Sequence, residues 1–159
     1  MKSAKNLEKL LELRAHRTRI AEETSARQRN IRDAAAHALD RAGDDILQNE
    51  ARRVARESDV HREMSQRPVA SHELQSYQEA LAAYDFEATR LVETQKEVAA
   101  RLEQETERSN HLIAEHKAKL RSHDKLELLL KRQAASSAKH RIALEETEDE
   151  DQRGMRKPK

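Results

Sequence analysis

SQRPVAS, residues 65–71, holds the one proline in the interior of a 159-residue chain. The proline ring fixes φ, removes a backbone donor and pushes the preceding residue out of the α region. A helix arriving at Pro68 must stop. Ser71 can cap a new helix, with Glu73 in its first turn complementing the helix dipole. Composition argues for helices on both sides of this break. Hydrophobic residues make up 36% and charged residues 38%, with two glycines and two prolines in all. Gly and Pro usually mark turns, so the chain can supply few. Its abundant residues are Ala, Leu, Glu, Arg, Lys and Gln, which are strong helix formers and, at a 3.5-residue period, the composition of a coiled coil. The sequence therefore predicts helix 1 over about residues 4–64, a turn over about 65–71, helix 2 over about 72–147 and a flexible charged tail over 148–159, all in one domain. At 1.5 Å per residue the helices would be roughly 90 and 110 Å long.

Helix 2 follows a heptad. With Leu74 at position a and Tyr77 at d, the seam runs through Leu81, Tyr84, Ala88, Leu91, Gln95, Val98 and Leu102. It turns polar at Glu105 and Ser109, returns with Leu112, then meets His116, Lys119 and His123. Leu126 and Leu130 restore it, and Gln133, Ser137, His140 and Leu144 end it. In helix 1 the apolar residues include Leu7, Leu10, Leu11, Leu13, Ile20, Ile31, Leu39, Ile46, Val54, Val60 and Met64. Their spacing drifts, and no strict heptad fits them. The alanines of DAAAHAL, residues 33–39, would let a second backbone approach closely.

So narrow an apolar stripe leaves neither helix stable alone; each needs a partner. A short connection between helices of similar length makes them antiparallel neighbours. The expected fold class is all-α, a long antiparallel two-helix coiled-coil hairpin with its tip near Pro68. The alternative is a parallel homodimer kinked at the proline.

Several function classes are excluded on this reading. There is no cysteine, hence no disulfide, thiolate nucleophile or Cys-based metal site, as suits the cytoplasm. No apolar run approaches ~20 residues, so no membrane-spanning helix is expected, and the N-terminus lacks the form of a signal peptide. A net charge of +1 does not suggest a general nucleic-acid binder. A two-helix hairpin offers no concave catalytic pocket, and no phosphate loop or nucleophilic triad spacing is present. No enzyme activity, cofactor or metal is expected. His116 and His123, one heptad apart with His111 nearby, read as a tolerated polar layer rather than a metal site or pH switch.

Charge and aromatics are unevenly placed. Residues 2–32 carry nine bases against four acids, a balance of +5. Near the other end EETEDEDQ has six acids, followed by four bases in RGMRKPK. All three aromatic residues fall in YQEALAAYDF, residues 77–86. Tyr77 and Tyr84 take d positions and Leu81 the a between them, where seam burial explains them. Phe86 takes f, away from the seam, where an aromatic reads as part of a docking patch.

Three stretches together resemble the FliJ and YscO proteins. LEKLLELRAHRTRIAEE, residues 7–23, resembles their opening. SYQEALAAYDFEATRL, residues 76–91, resembles the aromatic-bearing segment after the FliJ turn, and RGMRKPK is similar to the Met-Arg-Lys-Pro ending of enterobacterial FliJ. LEKLLELR with QRP before the turn also looks like the related proteins of plant-pathogen type III secretion systems. Helix 1 departs from FliJ in lacking aromatics before the turn, and the acidic run near the C-terminus has no counterpart. The resemblance implies a central-stalk cofactor of the type III secretion ATPase, similar to the two-helix coil of the rotary ATP synthase γ subunit. It implies that the terminal end binds the ATPase, through Leu10, Leu13, Arg14 and Arg17. The tip half would bind the export-gate membrane protein, through Tyr77, Leu81, Tyr84 and Phe86. Escort chaperones are further implied partners, and the implied location is the cytoplasm, peripheral to the inner-membrane export apparatus. A structural tether and a hairpin chaperone without an ATPase partner are the alternatives.

Overall fold

In the computed structural model the backbone is described from Lys2 to Met155 and the side chains from Lys5 to Glu148. Two helices account for nearly all of it: α1 (Lys2–Gln66) and α2 (Ser71–Met155). They form the expected all-α antiparallel hairpin. Their contacts divide into two compact units, one built from Met1–Ser25 with Leu112–Lys159 and the other from Ala26–His111.

The turn lies in the second unit. Arg67 still donates its amide to the Glu63 carbonyl (3.1 Å), and the next residue, Pro68, has no amide to continue the ladder. The start of α2 is built differently from the expectation. Ala70, not Ser71, holds the N-cap position, because its carbonyl accepts from the Leu74 amide (3.2 Å). Alanine has no side-chain acceptor, so only half of a capping box forms. Glu73 reaches back and accepts from the Ala70 amide at 3.0 Å. The same carboxylate takes both arms of the Arg67 guanidinium, at 3.0 and 3.2 Å. That guanidinium, with the Ala70 amide behind it, holds the Glu73 carboxyl below the usual carboxylate range.

In the Ala26–His111 unit, the α2 heptad is seen as read from Tyr77 onward: Tyr77, Leu81, Tyr84, Ala88, Leu91, Gln95, Val98, Leu102 and Glu105 are half-buried and Ser109 is buried, whereas Leu74, read as its first a position, is exposed beside the turn. The α1 strand of this seam corrects the expectation that no strict heptad fits. Gln28, Arg32, Ala35, Leu39, Ala42, Ile46, Asn49 and Arg53 alternate at steps of four and three, and Val60 keeps the register. The residues chosen by hydrophobicity were in part the wrong ones. Ile31, Val54 and Met64 stand well exposed. Polar seam residues are held by bonds across the pair: Gln28 Nε2 donates to the Glu105 carboxylate, and Asn49 Nδ2 donates to the Tyr84 carbonyl. Ala35 and Ala42 are buried, which lets the backbones approach closely between those bonds.

In the unit of residues 1–25 and 112–159, the α1 register continues through Leu11, Arg14, Thr18, Ala21 and Ser25. Leu10, Leu13 and Ile20 again lie outside the seam. Arg14 Nη1 donates to the Ser122 carbonyl at 2.8 Å, and Leu126 supplies the buried apolar residue of α2. His116, Lys119, His123 and Leu130 are half-buried at their predicted positions, but Gln133, Ser137, His140 and Leu144 are exposed. Arg14 opposite Ser122 puts Lys2 opposite roughly residue 134, at equal rise on both helices, so among the described residues α2 beyond that point has no stretch of α1 beside it. α2 itself continues to Met155, through most of the stretch expected as a tail; residues 156–159 lie outside the described residues.

Buried polar residues match buried apolar ones: Thr18, Ser25, Gln28, Asn49 and Ser109 against Ala21, Ala35, Ala42, Val60 and Leu126. Hydrogen bonding and shape, as well as apolar area, must therefore specify this pairing.

Candidate functional site

The four residues assigned to ATPase binding are not all free to meet a partner. Leu10, Leu13 and Arg17 are exposed on α1, and their spacing of three, four and seven puts them on one side of the helix. Arg14 is different. Its guanidinium crosses to the α2 backbone at Ser122, so it ties the two helices together. Arg14, Arg17, Lys119 and Ser122 line a shallow basic groove, in which the Lys119 ammonium is paired with Glu115 at 2.6 Å.

The residues assigned to gate binding are also divided. Tyr77, Leu81 and Tyr84 are half-buried in the seam, and Tyr77 lines a groove near the turn with Val60, Met64, Val69 and Leu74. Phe86 is 74% exposed. It lies about 200° round the helix from Tyr84. The structure thus does not bring the three aromatics into one patch; Phe86 stands on the outer face. Arg67 and Glu73 clasp the turn next to the seam tyrosines, and Arg90 donates from Nε and Nη2 to the two carboxylate oxygens of Glu87, whose carboxyl this holds below the usual range.

One grouping among the described residues brings metal-ligating atoms together. His123, Asp124 and Glu127 have such atoms within 4.8 Å of one another. The Lys131 ammonium already sits on Glu127 at 2.7 Å and holds that carboxyl below its ordinary range. His123 and Asp124 are paired with each other at 3.3 Å. The cluster is explained as a run of solvated polar contacts along two turns of α2. No described helix is long and apolar enough to cross a membrane.

A surface that the sequence reading missed lies on α1 of the Ala26–His111 unit. Leu39, Gly43, Ile46 and Leu47, with Gln95 from α2, line an open groove flanked by Asp40 and Asp44. Its one legible signal was a glycine in the middle of a helix, a position where glycine costs about 1 kcal/mol relative to alanine.

No protein-family model matches this sequence, and a search of curated proteins finds no match. Among solved structures, the chain is similar to the crystal structure of the type III secretion protein YscO from Vibrio parahaemolyticus. The two share 23% identity and a TM-score of 0.72, over 94% of this chain and 94% of that one. The likeness is one of fold, and it runs through nearly the whole length of both chains.

Proposed function

We propose that this chain is a central-stalk-like accessory protein of a type III secretion system, binding the export ATPase by its terminal end and the export gate by the tip half of the hairpin. The observation that carries the reading is the shared fold with YscO over 94% of both chains. The residue-level resemblance to FliJ and YscO proteins supports it from the other direction. The placement of side chains is compatible with two separate docking sites. At the terminal end Leu10 and Leu13 are 37% and 44% exposed beside the cationic Arg17, and in the tip half Phe86 projects outward. Apolar anchors that contribute little to their own fold are free to serve a partner.

The chain carries out no reaction on this reading. It acts in the cytoplasm at the membrane-bound export apparatus, with escort chaperones as further partners. A pull-down of the full chain with the type III secretion ATPase encoded in the same genome tests the proposal. Retention of the ATPase that is lost on replacing Leu10 and Leu13 by Ser supports it. Absence of any retention at low ionic strength contradicts it and leaves a structural tether or hairpin chaperone.

A further inference from the structure

The groove around Gly43 has properties that neither the hairpin nor the secretion reading requires. A glycine inside a helix is disfavoured, and it is retained where packing or close approach demands it. Here packing makes no such demand. A Cβ built on Gly43 would meet only Gln95 Nε2, at 3.7 Å, an ordinary contact. The missing side chain instead leaves a notch in the wall of a groove lined by Leu39, Ile46 and Leu47. Leu47 is 69% exposed, although a solvent-facing heptad position ordinarily takes a charged or polar residue. Val92 is 38% exposed on α2, and stands one turn before Gln95, the α2 residue that lines the notch.

The rim has one sign of charge. Asp40 and Asp44 flank the groove, and Glu50 stands about two turns beyond Gly43 on the same side of α1. None of the three has an ion-pair partner among the described residues. The base on this stretch of α2, Lys96, is already paired with Glu93 at 2.8 Å. An anion or an acidic peptide would be repelled here. An apolar side chain set among cationic ones would be accepted, because it fills the notch while its neighbours meet the free carboxylates.

We infer that the Gly43 groove is a docking site for a basic amphipathic helix of a partner protein, which inserts a Leu-sized side chain at the notch and sets Lys or Arg against Asp40, Asp44 and Glu50. The site is distinct from Leu10, Leu13 and Phe86, and it stands whether or not the chain serves a secretion ATPase.

The test uses the full chain and two fluorescein-labelled 20-residue helical peptides with the same leucine stripe, one with arginine and one with glutamate on the polar face. Fluorescence anisotropy is read at 50 and 500 mM NaCl. The arginine peptide should bind and the glutamate peptide should not. Gly43→Leu fills the notch with a better helix former, so it should weaken binding at least tenfold while melting at or above the wild-type temperature. Asp40→Asn with Asp44→Asn should weaken binding severalfold and flatten its salt dependence without unfolding the chain. The inference is overturned if the arginine peptide does not bind, if the glutamate peptide binds equally, or if neither variant changes binding. It is also overturned if the wild-type chain sediments as a dimer that Gly43→Leu dissociates, which would make a second copy the occupant.

Discussion

Asn49 donates from Nδ2 to the backbone carbonyl of Tyr84 across 3.2 Å, with its side chain almost fully buried. A buried amide at a seam position can be satisfied in one register, because a slip of α1 against α2 would leave it without an acceptor. Such a residue specifies pairing at some cost in stability. Asn49→Ala should destabilise the Ala26–His111 unit by about 1 kcal/mol. Asn49→Leu should leave the melting temperature unchanged or higher while permitting alternative alignments. Double electron–electron resonance between labels at Ser58 and Gln78 checks this, with one narrow distance expected in the wild type and a broadened distribution in Asn49→Leu.

The clasp at the turn makes a pH-dependent contribution. Hydrogen bonds from Arg67 and the Ala70 amide depress the Glu73 pKa in the folded chain. Stability from a depressed carboxylate is complete above its unfolded pKa and is lost as pH falls through the lower, folded value. The turn should therefore hold at neutral pH and loosen only below the usual carboxylate range. Carbon-detected NMR titration should place the Glu73 carboxyl below a reference glutamate, and Arg67→Ala should return it toward the reference. Because the pair is exposed, its effect on global melting should be small.

Tyr84 and Phe86 are two residues apart and should respond oppositely. Tyr84→Ala removes a half-buried seam ring and should cost about 2 kcal/mol. Phe86→Ala removes a ring that buries little and should leave thermal unfolding almost unchanged. On the proposed function both variants reduce gate binding, but Phe86→Ala does so without a folding defect. Thermal melts read alongside affinity for the purified gate domain separate the two effects.

Arg17 and Arg19 are exposed on α1, whereas Arg14 is committed to the Ser122 carbonyl. Arg17→Glu with Arg19→Glu should preserve helicity and slow association with the ATPase, since surface charge steers encounter more than it stabilises the fold. Arg14→Glu should lower the melting temperature of the chain itself. Circular dichroism and association rates at two salt concentrations distinguish these roles.

The break at Pro68 and the α2 seam were legible because each depends on local chemistry: a ring without a donor, and apolar residues at steps of three and four. The α1 seam was legible only in part: Leu11, Leu39, Ile46 and Val60 do lie in it. Its register is carried by Thr18, Ser25, Gln28 and Asn49, while Leu10, Leu13, Ile20 and Ile31, which hydrophobicity selects, lie outside it. Gln28 and Asn49 are tolerated in the seam because acceptors on α2 meet them, and a sequence does not display its tertiary partners. The same reason hid the N-cap. Ser71 is the better capping residue, but the Arg67–Glu73 clasp sets Ala70 at that position. For the candidate sites, the exposure of Phe86 followed from its heptad position. The separate role of Arg14 did not, because it is a contact between residues 108 positions apart.

The most direct test of the proposed function is site-specific photo-crosslinking during active secretion, with benzoylphenylalanine at Leu13 in one strain and at Phe86 in another. The account predicts that Leu13 captures the secretion ATPase and Phe86 captures the export-gate protein, each without the other. Capture of neither protein from cells that are secreting, or of the same protein from both positions, would contradict it.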